Sequence, residues 1–293
     1  MLLSTALLAL AVATVWLPNL RLGSYCSMPP ALLMLGVAVI AGLIEETVDL
    51  QGAIAVSTLV ALAVLSDKSC RPLAKMSLSV ICIALAFAMG SGFIPGFNDV
   101  VLVSNIRASI DAPAVRLNAR FNIAATGLVL LLMYCRRSHS FAETKEAICS
   151  VFQIALLTTV VVLGLGCLVE FVRPDIKLPS FTGRYIFRTL FWTCVVEESF
   201  FRGVVQERLA SSQILMRWPR MWWLPVAVSS ALFGLAHMRG GWIYVVLATL
   251  AGIGYGMAYA KTRRIESSLF AHFFLNTAHF IGFTYPYLEG NRQ

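Results

Sequence analysis

The chain has 293 residues, of which 58% are hydrophobic and only 13% are charged, and its formal net charge is +8. Soluble domains are about 45–50% apolar and about 25% charged, so a chain of this size has too little polar surface to enclose so many apolar side chains in water. The composition therefore excludes a soluble enzyme, a secreted disulfide scaffold and a disordered protein, and it predicts a membrane protein.

Ten stretches that are nearly free of charge follow one another along the chain. The candidate spans are residues 2–17, 31–44, 51–65, 77–95, 121–135, 147–169, 185–206, 222–237, 241–260 and 267–285. A bilayer is crossed by a helix of about 20 residues, so we expect an all-α, polytopic transmembrane bundle of about 8–10 spans. No basic residue precedes the first stretch, which favours a retained span over a signal peptide.

Clusters of basic residues occur in every second loop between these candidate spans, although the two longer loops between them, 98–120 and 170–184, also carry three basic residues each. The clusters are Lys68, Arg71 and Lys75; Arg136, Arg137 and Lys145; Arg208, Arg217 and Arg220; and Lys261, Arg263 and Arg264. By the positive-inside rule these loops are cytoplasmic, and both chain termini are then outside. Because the basic residues lie in short loops rather than on a soluble face, nucleic-acid binding is not expected. The small loops favour a bacterial inner (plasma) membrane.

Two longer loops, 98–120 and 170–184, are expected on the outer side. The mixed polarity of 98–120, which contains Pro113, suggests a short interfacial helix or a lid. The seven cysteines form no C-x-x-C pair and most lie within apolar runs. We therefore expect them to pack as small hydrophobic residues.

The seventh candidate span carries three ionisable residues, although a charge at the centre of a membrane helix costs about 2.5–3.5 kcal/mol. Glu198 and Arg202 are four residues apart with the acid first, so Arg202 is expected to neutralise Glu198. The pair could serve only to fix helix packing. Glu197 lies about 100° further around the helix. A carboxylate in a low-dielectric cleft suits a general base.

Polar residues also interrupt the later apolar spans. His237 ends the eighth span, with Phe233 one turn before it, and His272 and Asn276 share one face of the last span. Polar groups in such positions are costly, which favours a functional role over simple packing. His279 lies on the same side as His272, and packing is the better explanation for it.

Three segments carry a family resemblance: residues 197–202 read EESFFR, 233–237 read FGLAH and 272–276 read HFFLN. In this order they resemble the motifs EExxxR, FxxxH and HxxxN/D of the CPBP family. That family, also called ABI or CAAX protease and bacteriocin-processing, comprises intramembrane proteases related to the type II CAAX prenyl protease. The resemblance implies an all-helical bundle with a catalytic cavity inside the membrane.

The resemblance also implies a role for each motif residue in peptide hydrolysis. Glu197 and His237 would activate a water molecule for attack on a peptide carbonyl. His272 and Asn276 would donate hydrogen bonds to the tetrahedral oxyanion. The implied substrates are membrane-associated proteins or peptides, and the helical bundle is expected to be surrounded by the lipid bilayer.

Glu198, Arg202 and Phe233 receive supporting roles from the same resemblance. Arg202 would hold Glu198 and so fix the helix that presents Glu197. The resemblance divides the chain into amino-terminal spans of unassigned role, a catalytic core and a short tail, at residues 1–184, 185–285 and 286–293.

Two mechanisms are compatible with these residues. Glu197, His237 and His272 suffice for a catalytic zinc ion with an open position for water. In the alternative, the glutamate acts without a metal. Asn276 favours the metal-free form, because asparagine is a poor zinc ligand but a good donor to an oxyanion.

A non-enzymatic membrane protein is the alternative class. Intramembrane Glu and His residues also build proton relays, so one such hypothesis is an ion or proton transporter. Another is a bacteriocin-immunity protein that acts by binding. The sequence shows no internal repeat, which counts against a transporter. It also contains no H-E-x-x-H segment, so a zinc protease of the site-2 type is not indicated.

Overall fold

A computed structural model describes residues 2–22 and 26–291. Each of the ten apolar stretches coincides largely with helix, which confirms the all-α fold class. The helices are α1 Leu3–Ala13, α2 Pro30–Ile44, α3 Leu50–Lys68, α4 Pro72–Gly90, α5 Phe121–Tyr134, α6 Phe141–Leu168, α7 Thr182–Arg188, α8 Val195–Glu198, α9 Glu207–Ala210, α10 Gln213–Met216, α11 Leu224–Ala236, α12 Gly241–Thr262 and α13 Ile265–Gly282.

Within the described residues, four helical segments are long and apolar enough to cross a membrane: α3, α4, α6 and Met238–Thr262, which contains α12. Three shorter apolar helices are Leu3–Trp16, Pro30–Ile44 and Phe121–Tyr134. Only 28% of the apolar window of α6 is buried, so most of that surface is suited to lipid. The chain is therefore an integral membrane protein, and the full count of 8–10 spans stays a prediction.

Two small sheets interrupt the helices. Strands β1 Leu20–Leu22 and β2 Cys26–Met28 pair antiparallel, with Leu20 opposite Met28. Strands β3 Asp99–Ile106 and β4 Val115–Arg120 form the second sheet.

The expectation of an interfacial helix in 98–120 is wrong, because this loop contains β3 and β4. After Asp99, β3 contains a run of β-branched and apolar residues that fit an extended chain better than a helix. In β4, buried and more exposed residues alternate, as expected for a strand with one covered face.

The helices pack into two compact units. The first comprises the residues up to Leu102, Asn118–Tyr134 and Phe191–Glu197; the second comprises Val103–Leu117, Cys135–Leu190 and the chain from Glu198 onward. The sequence-based division at residue 184 stays a prediction.

In the first unit, the Glu45 carboxylate at the end of α2 accepts hydrogen bonds from the amides of Leu3 and Ser4. A negative charge there satisfies amide donors at the start of α1 and complements the helix dipole. This contact holds α1 against the end of α2.

In the second unit, α11 and α12 approach each other closely because small residues line both helices. A Cβ atom on Gly234 would lie 1.9 Å from Oγ1 of Thr249, and one on Gly252 would lie 3.2 Å from the Cα atom of Ser230. Small residues of this kind allow membrane helices to pack backbone against backbone. The packing fixes α11, which carries the second motif, against α12.

Six cysteines are free thiols: Cys70, Cys82, Cys135, Cys149, Cys167 and Cys194. Cys82, Cys135 and Cys194 are buried, which confirms the packing role for these three, whereas Cys70 and Cys149 are exposed. The side chain of Cys26 lies outside the description.

Candidate active site

The helix that carries the first motif has an irregular hydrogen-bonding pattern. Between α7 and α9 the chain forms a π-helix at Thr189–Cys194, the short α8, and a second π-helix at Ser199–Gln206. π-Helical turns are rare and are frequent at functional sites. Glu198 is the last residue before the second π-helix, and Arg202 lies within it. Nothing in the residue spacing predicted these wide turns.

Glu198 is the centre of a buried polar cluster in the second unit. Its Oε2 lies 3.0 Å from Nε of Arg202, and its Oε1 lies 2.8 Å from Nδ1 of His272. The side chains of Glu198 and Arg202 are both 0% exposed. The ion pair expected from the four-residue spacing is confirmed, and the contact with His272 joins the first motif to the third.

Arg202 extends the same cluster to the helix of the second motif. Its Nη1 donates to Oγ of Ser229 at 2.7 Å, and that hydroxyl donates to the carbonyl of Phe201 at 2.7 Å. The guanidinium carbon also lies 5.5 Å from the centre of the Phe233 ring, within the range of a cation–π contact. Ser229, one turn before Phe233 on α11, was not predicted to belong to the site, although a hydroxyl in an apolar helix was a visible signal.

Aromatic rings pack around the two histidines of the motifs. The ring of Phe233 lies 4.7 Å from that of His237 and 5.7 Å from that of His272, centre to centre. Tyr255 of α12 stacks on His272 at 4.6 Å with an interplanar angle of 14°. The three motifs thus meet in one cluster, and Tyr255, which no motif contains, forms one wall of it.

The hydrogen bonds assign the protons on both imidazoles. Nδ1 of His237 lies 2.7 Å from the carbonyl oxygen of Phe233, which only accepts, so Nδ1 carries a proton and the neutral ring presents the lone pair of Nε2. His272 likewise donates its Nδ1 proton to the Glu198 carboxylate. A neutral His272 therefore accepts at Nε2, and it donates there only as the imidazolium ion.

The remaining predicted residues lie as follows. Asn276 is half-buried, one helical turn after His272, and its main-chain carbonyl accepts a hydrogen bond from the Tyr185 hydroxyl at 3.1 Å. Glu197 is the last residue of the first unit and directly precedes Glu198; its side chain is half-buried, with Oε2 buried. His279 contacts the carbonyl of Thr284, at 3.2 Å from its Nε2.

The zinc alternative was tested on the arrangement of possible ligands. Across residues 2–22 and 26–291, no three His, Cys, Asp or Glu side chains are grouped so that they could hold a metal ion. The described ligand arrangement thus does not fit a zinc ion.

A comparison with known families matches residues 179–278 to the family described as type II CAAX prenyl endopeptidase Rce1-like. No curated protein and no solved structure matches the chain. The matched residues contain all three motifs and overlap the predicted core, 185–285. The resemblance drawn from the motifs is confirmed, and at family level it describes a membrane-embedded endopeptidase. Residues 179–278 of this chain are therefore similar to the Rce1-like type II CAAX prenyl endopeptidase family.

Proposed function

We propose that the protein is an intramembrane endopeptidase that hydrolyses peptide bonds of membrane-associated proteins or peptides. The observation that supports this most is the buried carboxylate of Glu198, which binds Arg202 of the first motif and His272 of the third. Charged groups are rarely assembled in a membrane bundle without a functional reason. The family match at residues 179–278 supports the same reaction class.

In the proposed reaction, Glu197 and His237 activate the attacking water. His237 is suited to this because its Nδ1 proton is held by the Phe233 carbonyl, which leaves Nε2 as the acceptor. The proton taken from water is then delivered to the leaving amine. Phe233 therefore contributes through its main chain as well as its ring.

His272 and Asn276 stabilise the tetrahedral oxyanion in this proposal. For His272, the hydrogen-bond pattern adds a condition, because its Nε2 donates only when the ring is an imidazolium ion. The Glu198 carboxylate at Nδ1 and the stacked ring of Tyr255 hold this imidazole in one orientation. Preorganised donors to a developing oxyanion contribute about 3–4 kcal/mol each.

We place the protein in a bacterial inner membrane with its basic loops in the cytoplasm and both termini outside. This orientation is supported by the alternation of basic loops along the chain. The proposed mechanism uses the glutamate without a metal, because Asn276 suits an oxyanion donor better than a zinc ligand.

Cleavage by the wild type and by Glu197→Gln tests the proposal. The purified full chain is incubated with a library of membrane peptides, with and without a zinc chelator, and new termini are read by mass spectrometry. Because the substitution is isosteric and removes the proposed base, we expect a loss of at least about 100-fold. Glu146→Gln, at an exposed position on α6, is the matched control and keeps full activity.

Cleavage that survives Glu197→Gln contradicts the assignment of the base, and cleavage abolished by the chelator contradicts the metal-free form. The alternative class is a non-enzymatic membrane protein, either a proton or ion transporter or an immunity protein. The Glu198–His272 contact is the observation that favours a proton relay. A pH gradient that wild-type proteoliposomes dissipate, and Glu198→Gln proteoliposomes do not, would support it.

A further inference from the structure

The connector between the first and second motif helices is unusually exposed. All eight residues of this 216–223 connector (sequence MRWPRMWW) are exposed. Three are tryptophans: the exposed fractions of Trp218, Trp222 and Trp223 are 63%, 60% and 50%. Exposed apolar surface of this density marks a site of interaction with a partner or a membrane.

The connector also carries positive charge that the rest of the protein does not balance. The sequence from residue 208 to residue 265 contains no Asp or Glu. In the described part of the chain, neither Arg217 nor Arg220 forms a salt bridge or a side-chain hydrogen bond. Both guanidinium groups are therefore available to an external anion.

Two neighbouring basic loops of the second unit differ in this respect. Arg136 and Arg263 both lie beside Glu207, at 3.4 Å and 2.6 Å, and Arg264 lies 2.8 Å from Glu143. Glu207 begins α9, a few residues before the connector, so these loops and the connector lie at the same end of the unit. The arginines of these two loops are thus paired with carboxylates of the protein itself. Those of the connector, Arg217 and Arg220, are left to bind an external anion.

The combination of tryptophan and arginine identifies the chemistry of that partner. Tryptophan rings favour the boundary between headgroups and acyl chains, where the ring is in contact with apolar matter and the indole N–H meets polar groups. Arginine binds phosphate through two parallel N–H donors. At the surface of an anionic phospholipid bilayer, the acyl boundary that suits tryptophan and the phosphate that suits arginine lie close enough together for one eight-residue segment to contact both.

We propose that the 216–223 connector lies in the headgroup layer and binds anionic phospholipids through Arg217 and Arg220, with its tryptophans inserted at the acyl boundary. The connector joins the helix of Glu198 and Arg202 to the helix of Phe233 and His237. Anionic lipid bound to the connector would therefore restrain the chain segment that joins the two motif helices. This proposal does not rest on the peptidase function.

Tryptophan quenching by brominated lipids tests the proposal on the full chain. The protein is reconstituted into phosphatidylcholine vesicles containing about one-fifth phosphatidylglycerol, with bromine on the acyl chains of either lipid. Three of the six tryptophans lie in the connector, so half of the emitting side chains report on it, and the connector variant identifies their contribution. The variant Arg217→Gln/Arg220→Gln removes the proposed contacts, and Lys68→Gln/Arg71→Gln removes the same charge at other exposed positions.

We expect brominated phosphatidylglycerol to quench the wild type in preference to brominated phosphatidylcholine, at equal mole fraction. An arginine near an anionic surface contributes about fivefold to binding, so a preference of about 10- to 25-fold should fall to near one in the connector variant. The control variant should keep it. Equal quenching by the two lipids in the wild type, or a preference that survives in the connector variant, overturns the proposal. Quenching by aqueous iodide with none by either lipid also overturns it and indicates a protein partner.

Discussion

Two carboxylates on one helical segment have the same kinds of partner but different surroundings. Glu198 binds Arg202 and His272 and is 0% exposed. The side chain of Glu207, which is 12% exposed, lies beside Arg263 and Arg136 and accepts a hydrogen bond from the Tyr259 hydroxyl at 2.9 Å. Each is a carboxylate between two basic groups.

The difference lies in what happens when a partner is lost. At Glu207, the arginines reach solvent and can be hydrated, so the pair contributes little and is screened by salt. At Glu198 there is no such access, and a partner left alone keeps an uncompensated charge in a low-dielectric interior. A buried ion pair is thus poor evidence of stability but good evidence that a geometry is being held.

The largest effect should come from breaking the buried pair. Arg202→Met leaves the Glu198 carboxylate with His272 alone and should lower the free energy of unfolding by about 3–5 kcal/mol. Unfolding in mixed detergent micelles, followed by circular dichroism, measures it. A loss under about 1 kcal/mol would mean that Glu198 takes up a proton instead.

The double variant Glu198→Met/Arg202→Met sharpens this test. Because it removes both charges, it should be more stable than Arg202→Met alone, yet it should remain inactive since His272 has lost its acceptor. Stability and activity should therefore separate. Activity recovered in the double variant would contradict the positioning role of Glu198.

Breaking the half-exposed cluster should cost less. Glu207→Gln removes the charge shared by Arg136 and Arg263 but keeps an acceptor for Tyr259, so we expect a loss of about 1 kcal/mol. The same unfolding measurement at low and high salt checks the reason for it. The difference between wild type and variant should shrink as salt rises, whereas that for Arg202→Met should not.

A third carboxylate extends the comparison to a more exposed site. The side chain of Asp175 is 36% exposed and lies 3.1 Å from Nζ of Lys177. A hydrogen bond from Ser109 is the main reason that the pKa of Asp175 lies below its ordinary value of 3.8; partial desolvation opposes this, and Lys177 adds to it. A lowered pKa in the folded state means that stability is present above the ordinary pKa and is lost as pH falls through the folded value.

This third effect should be small, and its pH-dependent part should disappear in acid. Ser109→Ala should weaken docking of the β3–β4 loop at every pH, because the Tyr285 amide loses its acceptor, and should weaken it further above about pH 4, where Asp175 is ionised. Limited proteolysis of the loop between about pH 6 and pH 3 measures the effect. Equal protection of wild type and variant at every pH would contradict the role of this hydrogen bond.

Much of the fold followed from local sequence, and the site followed only in part. Charge-free runs mark the helices because lipid excludes charge, and the Glu198–Arg202 pair follows from one helical turn. The bond from His272 to Glu198 joins residues far apart in the chain, so no local spacing predicts it. Tyr255 was missed for the same reason. The strands of 98–120 were missed although β4 alternates apolar and polar residues, a signal of period two.

In the π-helix at Ser199–Gln206, the spacing of residues in the sequence does not by itself give the positions of their side chains. A π-helical turn holds one residue more than the α-helical turn it replaces, as if a residue had been inserted without moving the flanking helix. Deleting one residue after Arg202 could restore an α-helix and leave α9 in place, and Arg202 would still share a face with Glu198. The spacing in EExxxR therefore accounts for the ion pair, whereas the winding of the turn sets where the chain that follows it lies.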